Sequence, residues 1–534
     1  MRSDEALSNS VSILLPSDAD TALDRAIERL MSAASKKSAR YTQRLGFLFA
    51  AVTLSAYSGS EDNAKAPSIA VTQSYTIHYF SETEKSEGYW YAGVYNEPSL
   101  ISYFPQGGII LDVLQDSTTD IVVPMNKGYR SGGDTRMHFF VFKNDGTLLE
   151  FDEDLTLATP FITGARRSSE ISINYNGEAT NAFVTVAHDT TGETQELSFG
   201  TPWKYGDISI ILLSDMRDVA EELIVAGSLP LSASSGRETA TNAHSMAVGD
   251  ITGNGLQDIL VGEFSSAFVL EQKSDGTFVI FGNEFLREGF GGNYNWQQGG
   301  SDLILDMHIL DANGNEIDDV IVGWGHGNQP SAIFYNDGAG GFSPDNMLVL
   351  PEPIYGWDNS LHLATWSEDF DGDGLQEIII LYSRYEPFYG GYYLQFLKQD
   401  ENGVFVDETV SRLGDPFELA NTFGPRLNWH DQWYLVDVNG DGLIDIAGYS
   451  IKESKPVIYR NDGTGIFDKL LIDVDLSAII TEVYDFPVGG NIIAWGDFDN
   501  DGNMDFLTSW QTCVDSECSA SMHGFTLFSL SEII

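Results

Sequence analysis

The chain has 534 residues, with 28 Lys and Arg against 79 Asp and Glu and a formal net charge of −51. Such a surface excludes nucleic acid as a partner, disfavours anionic membranes and favours cations. The two cysteines, Cys513 and Cys518, rule out a disulfide framework and a thiolate zinc site. They leave open a single short-loop disulfide or a reduced pair.

In chain order, residues 18–35 predict a helix with Leu23, Ile27, Leu30 and Met31 on one face. Lys36, Lys37, Arg40 and Arg44 then precede the apolar run LGFLFAAVTLSA of residues 45–56, too short for a comfortable membrane span. With small residues at Ala56 and Ser58, this reads as a secretory signal cleaved after Ser58. A start at Met31 would account for its late position. Leu54, Ser55 and Ala56 are arranged like the beginning of a lipobox, but Tyr57 stands where the lipidated cysteine must be. Residues 1–58 are therefore expected to be an extension and signal, and the protein to be exported to the periplasm, cell surface or medium. Residues 59–105 are expected to hold a linker and a ring-closing strand, from Ile69–Phe80 or Tyr89–Val94.

A repeat follows. Five segments align: DITGNGLQDILVG from Asp250, DANGNEIDDVIVG from Asp311, DFDGDGLQEIIIL from Asp369, DVNGDGLIDIAGY from Asp437 and DFDNDGNMDFLTS from Asp497. Two degenerate copies precede them, one holding Asp112, Asp116 and Asp120, the other opening at Asn174. Successive starts are 62, 76, 61, 58, 68 and 60 residues apart. A second element trails most loops: FKNDGTLLEF at Phe142, QKSDGTFVIF at Gln272, YNDGAGGF at Tyr335, QDENGVFVD at Gln399 and YRNDGTGIF at Tyr459. Apolar alternation around Asp-Gly marks a tight hairpin. Each unit thus predicts four antiparallel strands, a propeller blade, and residues 106–534 predict an all-β, seven-bladed β-propeller. The last unit is short of an outer strand, which the ring-closing strand is expected to supply.

Each loop places oxygen-bearing residues at positions 1, 3, 5 and 9 and a backbone carbonyl at position 7. Calcium takes six to eight hard oxygen ligands in a flexible shell, and such a loop can wrap one ion. The candidate ligands are Asp250, Thr252, Asn254, Leu256 and Asp258; Asp311, Asn313, Asn315, Ile317 and Asp319; Asp369, Asp371, Asp373, Leu375 and Glu377; Asp437, Asn439, Asp441, Leu443 and Asp445; and Asp497, Asp499, Asp501, Asn503 and Asp505. The loop Asp369–Glu377 fits fully, with Gly374 at the turn. Position 6 is glycine except in the second loop, where Glu316 is expected to weaken the site. About four to five calcium ions are expected, and none in the two degenerate copies. An EF-hand fails, because position 12 is Val261, Val322, Ile380, Gly448 and Thr508 rather than a bidentate Glu. Isolated Asp/Asn/Gly turns are common, but five in register at one period argue for a shared device.

The loops and hairpins together resemble FG-GAP/VCBS repeats, the propeller repeats also found in the integrin α-subunit head. The resemblance runs from Gly108 to the carboxyl end. It implies a calcium-clipped propeller used in surface adhesion or ligand recognition, sometimes attached to enzymes; no further enzyme domain is expected here.

No metalloprotease helix, nucleophile elbow, phosphate loop or dinucleotide fingerprint occurs, and the nine histidines are scattered. Aromatic residues precede several inner strands, and Trp296, Trp357, Trp429 and Trp433 are candidates to stack on a ligand or to pack between blades. The expected function is a monomeric adhesion or recognition module for an extracellular glycan or protein. The alternative is a polysaccharide lyase or hydrolase, which the scarcity of Lys and Arg for gripping polyuronates disfavours.

Overall fold

The structure, a computed structural model, describes residues 68–82 and 103–531 with interruptions, the longest at 225–244, 286–303, 419–432 and 475–490. The secretory signal, Tyr89–Val94, Trp296, Trp429 and Cys518 lie outside the described residues, and with Cys518 the possible disulfide. Helix is confined, among the described residues, to short turns such as Glu153–Ala158 and Thr409–Leu413, none long and apolar enough to cross a membrane. The rest is antiparallel sheet.

The first sheet joins Ile109–Leu111, Asp120–Val123, Phe140–Asn144 and Leu149–Phe151. The second joins Ala165–Tyr175, Glu178–Ala187, Ile208–Leu212 and Glu222–Ile224. Ser245–Gly249, Asp258–Gly262, Ala267–Gln272 and Phe278–Phe285 form the third, and Ile304–Leu310, Asp319–Trp324, Ala332–Asn336 and Phe342–Val349 the fourth. The fifth holds Ser360–Glu368, Glu377–Arg384, Tyr392–Gln399 and Phe405–Asp407. The sixth has eight strands. Its first half is Tyr434–Val436, Asp445–Ser450, Lys455–Asn461 and Phe467–Asp473; its second is Asn491–Gly496, Asp505–Cys513, Ser521–Leu530 and Ser68–Glu82.

Five separate small blades therefore stand where seven were expected. The units opened by Asp437 and Asp497 share one sheet because a single strand bridges them. Ser68–Ala70 pairs in parallel with Leu471–Asp473, and from Val71 onward the same strand pairs antiparallel with Ser521–Leu530.

In the third, fourth and fifth sheets the second strand is mainly apolar and buried along almost its whole length, because both faces are covered. Side chains alternate across a strand, and the alternation sorts them between two neighbours. In the third sheet Ile259 and Val261 pack against the second sheet, whereas Leu260 packs against the fourth. Val320 and Val322 of the fourth face the third, and Ile321 faces the fifth. Ile379 and Leu381 of the fifth meet Trp433, Ile446 and Val457 of the sixth. Within the sixth, Ala447 and Ile458 of one half cluster with Phe506 and Phe528 of the other, so its halves pack face to face. Leu507 and Phe525 then pack on Ile121 and Phe142 of the first sheet. The Phe139 and Phe183 rings meet edge to face at 5.0 Å between the first sheet's chain segment and the second sheet.

The acidic loops connect first and second strands, and the Asp-Gly hairpins connect third and fourth. Two reversals bring the chain back to the same end, so both elements gather on one edge of each sheet. The hairpins close with four or five residues between paired ends, as in Asn144↔Leu149 and Asn461↔Phe467, rather than the two of a tight turn.

Candidate metal loops

The aspartate at position 1 folds each loop over itself. Asp250 accepts the backbone N–H groups of Asn254 and Gly255, both at 2.9 Å, and Asp369 those of Asp373 (3.0 Å) and Gly374 (2.9 Å). Asp311, Asp437 and Asp497 repeat the pattern. The side-chain oxygen at position 5 accepts the N–H at position 7, from Leu256, Ile317, Leu375, Leu443 and Asn503. The position 6 residue must take positive φ: Gly255, Gly374, Gly442 and Gly502 lie at 81–89°, and Glu316 is forced to 63°.

The acid at position 9 is the most buried. Asp258, Asp319, Glu377, Asp445 and Asp505 are 0–1% exposed, as is Asp120 of the first degenerate copy. One carboxylate oxygen accepts a backbone N–H from the start of its own loop, such as Val438 at 3.1 Å or Phe498 at 2.9 Å. In Asp120, Asp258, Asp319 and Asp445 the other oxygen accepts the N–H of Asn144, Gln272, Asn336 and Asn461, where the third strand ends. Desolvation pushes Asp319, Asp445 and Asp505 up to about 6 against these bonds. The second degenerate copy lacks the device: Tyr175 pairs with Glu178 in a tight hairpin and the buried Ala182 stands at position 9.

The hairpins hold a role that their turn chemistry does not reveal. Asn336 Nδ2 donates to the Ile251 carbonyl of the preceding sheet's loop at 2.8 Å. Gln399 Nε2 reaches the Ala312 carbonyl at 2.7 Å, and Asn461 Nδ2 the Phe370 carbonyl at 2.9 Å. Gln272 donates to the Ser172 carbonyl and accepts the Asn174 N–H. In the opposite sense, Asn500 Nδ2 donates to the Gly146 carbonyl at 2.7 Å, joining the last loop to the first hairpin. Acidic loop and hairpin are one joint, made between neighbouring sheets.

Carboxylate trios gather at two of the five loops among the described residues: Asp369, Asp371 and Glu377, and Asp497, Asp499 and Asp505, each set with ligand atoms within 4.8 Å of one another. The second trio fits calcium, being all hard oxygen with a desolvated acid at its base. Around the first stand two cations that the motif does not foretell. Lys398 Nζ donates to Asp371, Asp373 and Glu377, and Arg412 Nη2 to Asp371. Desolvation works to lower the Lys398 ammonium, but its three carboxylate partners outweigh it and raise the group above its ordinary value. In the second loop Asn313 Nδ2 donates to Asp319 at 3.3 Å, and in the fourth Asn439 Nδ2 donates to Asp441 at 2.9 Å. In the first loop Asn254 Nδ2 donates to the Gln272 carbonyl, and the Thr252 N–H donates to Asp258.

Of the four tryptophans, Trp433 is 7% exposed in the cluster between the fifth and sixth sheets, with the Tyr459 ring 6.1 Å away. Gly448 leaves it space that any Cβ would fill. Its role is packing. Trp357, in a short helical turn (Trp357–Asn359), is half-buried against the cluster of the fourth and fifth sheets. Beside it in that cluster, Tyr355 meets Tyr393 edge to face, and the Arg384 guanidinium lies 5.7 Å over the Tyr355 ring.

A His–Asp arrangement does occur, but inside the protein. His362 is 1% exposed, with Nδ1 on Ser331 Oγ (2.8 Å), and Nε2 on Thr365 Oγ1 (2.6 Å) and near Asp306 (3.5 Å). His308 Nε2 shares a hydrogen bond with Ser367 Oγ at 2.8 Å, and burial pushes this imidazole down to about 4 against the nearby Asp306.

No curated protein sequence matches the chain. Solved structures that match the chain include an Agrocybe aegerita lectin, described as recognising non-reducing terminal N-acetylglucosamine, at 17% identity and TM-score 0.38 over 68% of this chain and 78% of that one. A Bacillus licheniformis rhamnogalacturonan lyase gives 11% and 0.39 over 84% and 75% of the two chains, and an exotype rhamnogalacturonan lyase 12% and 0.39 over the same shares. Residues 437–508, from the fourth acidic loop to the strand beyond the fifth, match the model of the FG-GAP-like repeat, and the chain carries that repeat.

Proposed function

We propose that this chain is an exported, calcium-binding β-propeller that recognises an extracellular glycan or protein without transforming it. The observation that carries the reading is where the chemistry-bearing residues sit. The buried acids Asp258, Asp319 and Asp445 accept backbone hydrogen bonds inside the joints between sheets, and the His362–Asp306 pair is buried. Both belong to the frame. Recognition then falls to surface segments carried on that frame, with Trp357 and Tyr355 as the described candidates.

Calcium supplies the positive charge that carboxylates gathered in a loop require. Asp497, Asp499, Asp501 and Asp505, with the Asn503 carbonyl, would hold one ion, and the corresponding oxygens of the other loops would bring the total to four or five. The eight-stranded sheet counts as two units in this reading, since its halves pack face to face, making a ring of seven. The signal-like residues 36–58 support export, and a ring closed by its own first strand needs no second copy to cover an edge.

A glycan array probed with calcium-loaded protein tests the reading. Binding that is weakened in Trp357→Ala, while the melting curve stays near wild type, is the expected result. Unsaturated oligosaccharides released from a panel of polysaccharides would replace recognition with lyase chemistry.

A further inference from the structure

The loop Asp369–Glu377 matches the loop Asp497–Asp505 with four acids, but it has two cations around its carboxylates. Lys398 lies near the end of the third strand, one step beyond the pair Ile378↔Leu397, and so faces Glu377. Its Nζ donates to Asp371 Oδ2 at 2.8 Å, Asp373 Oδ2 at 2.7 Å and Glu377 Oε1 at 2.7 Å. An ammonium has three N–H donors, and all three are directed at the loop. Arg412, on the helix Thr409–Leu413, adds a bond to Asp371 Oδ2 at 3.2 Å. It is held there by Glu408 at 2.9 Å and by the Thr464 carbonyl of the neighbouring hairpin at 2.6 Å.

We infer that Lys398 is the resident cation of this loop, which folds around the ammonium and takes no calcium. A calcium ion would need the same oxygens at about 2.3–2.6 Å. Two cations sharing them would lie roughly 5 Å apart in a partly desolvated site, where like charges repel strongly. Calcium would have to evict the lysine, which is covalently tethered and so present at high effective concentration. The residues that face position 9 in three other loops, Glu271, Tyr335 and Ser529, bring no positive charge. In the fourth loop Arg460 pairs with Asp468 at 3.4 Å. The inference rests on the calcium reading for those loops, but not for its own.

Calcium counting on the full chain, together with melting in excess chelator, tests it with Lys398→Met and the double variant Asp371→Asn/Asp373→Asn. The wild type and the double variant should bind the same number of ions per chain. Lys398→Met should bind one more, and it should melt below wild type in chelator and recover when calcium is added. A double variant that loses one ion relative to wild type overturns the inference, as does a Lys398→Met protein that melts like wild type in chelator. Should no variant bind calcium while Lys398→Met still melts lower, the lysine clamp stands and the calcium reading of the other loops fails.

Discussion

At position 6 of the acidic loops a backbone requirement is visible in isolation. Four glycines hold φ between 81° and 89°, and Glu316 holds 63° in the fifth example. A residue with a Cβ is sterically strained there, while glycine costs more chain entropy on folding. The balance favours glycine: Glu316→Gly should raise stability by about 0.5–1 kcal/mol in urea unfolding. A loss would mean that the Glu316 side chain makes a contact outweighing the strain. His308 sets a pH limit by a different route. Its folded value of about 4 lies below the ordinary 6.5, so the folded state resists a proton that the unfolded chain accepts. Its contribution is intact above pH 6.5 and is lost progressively as pH falls from 6.5 towards 4. Asp306, His362 and Ser367 face the ring. Replacing His308 with Gln should flatten that part of the stability–pH curve, measured in chelator at several pH values.

The joints between sheets are where loop and hairpin become one element. Asn461 is the clearest case, donating to Phe370 of the fifth sheet and accepting Gly463 and Gly465 N–H groups of its own hairpin. Asn461→Ala orphans buried backbone groups on both sides and should cost about 1–3 kcal/mol for each. Asn402, on an exposed hairpin tip with side-chain bonds only to its own turn, should be near neutral as alanine. Equal costs would show that the cross-sheet bonds carry nothing. This joint also marks the limit of what the sequence discloses. The Asn-Asp-Gly spacing at Asn461 reveals that a hairpin exists, and the aspartate spacing from Asp437 that a loop folds on itself, but both signals are local. Which carbonyl Asn461 meets depends on the sheet that packs next door. Lys398 is hidden for the same reason: it sits 21 residues beyond Glu377, and only strand register brings them together. Trp433 has the sequence neighbours of a ligand platform, with Trp429 four residues before it and Tyr434 directly after, yet the space left by Gly448 makes it core.

Across the molecule, each sheet is stabilised by both neighbours, and the first strand ties the beginning of the described chain to its last strand over ten paired positions, from Val71↔Leu530 to Glu82↔Ser521. Such coupling makes loss of one joint felt by the next, so calcium and unfolding should be linked as one cooperative event. An ion that binds only the folded state stabilises it by about 2.7 kcal/mol per site at a hundredfold excess over Kd. Four loops without a resident lysine would then contribute on the order of 10 kcal/mol. Chelation should lower Tm sharply and leave a single transition. Magnesium should restore little, because it demands tighter octahedral geometry and keeps its waters. Calorimetry in calcium, in chelator and in magnesium separates the possibilities. An unchanged Tm in chelator would remove calcium from the account, leaving the hydrogen-bonded joints alone to hold the ring. Several resolved transitions in chelator would instead mean that sheets unfold independently and that the first strand's pairing does not couple them.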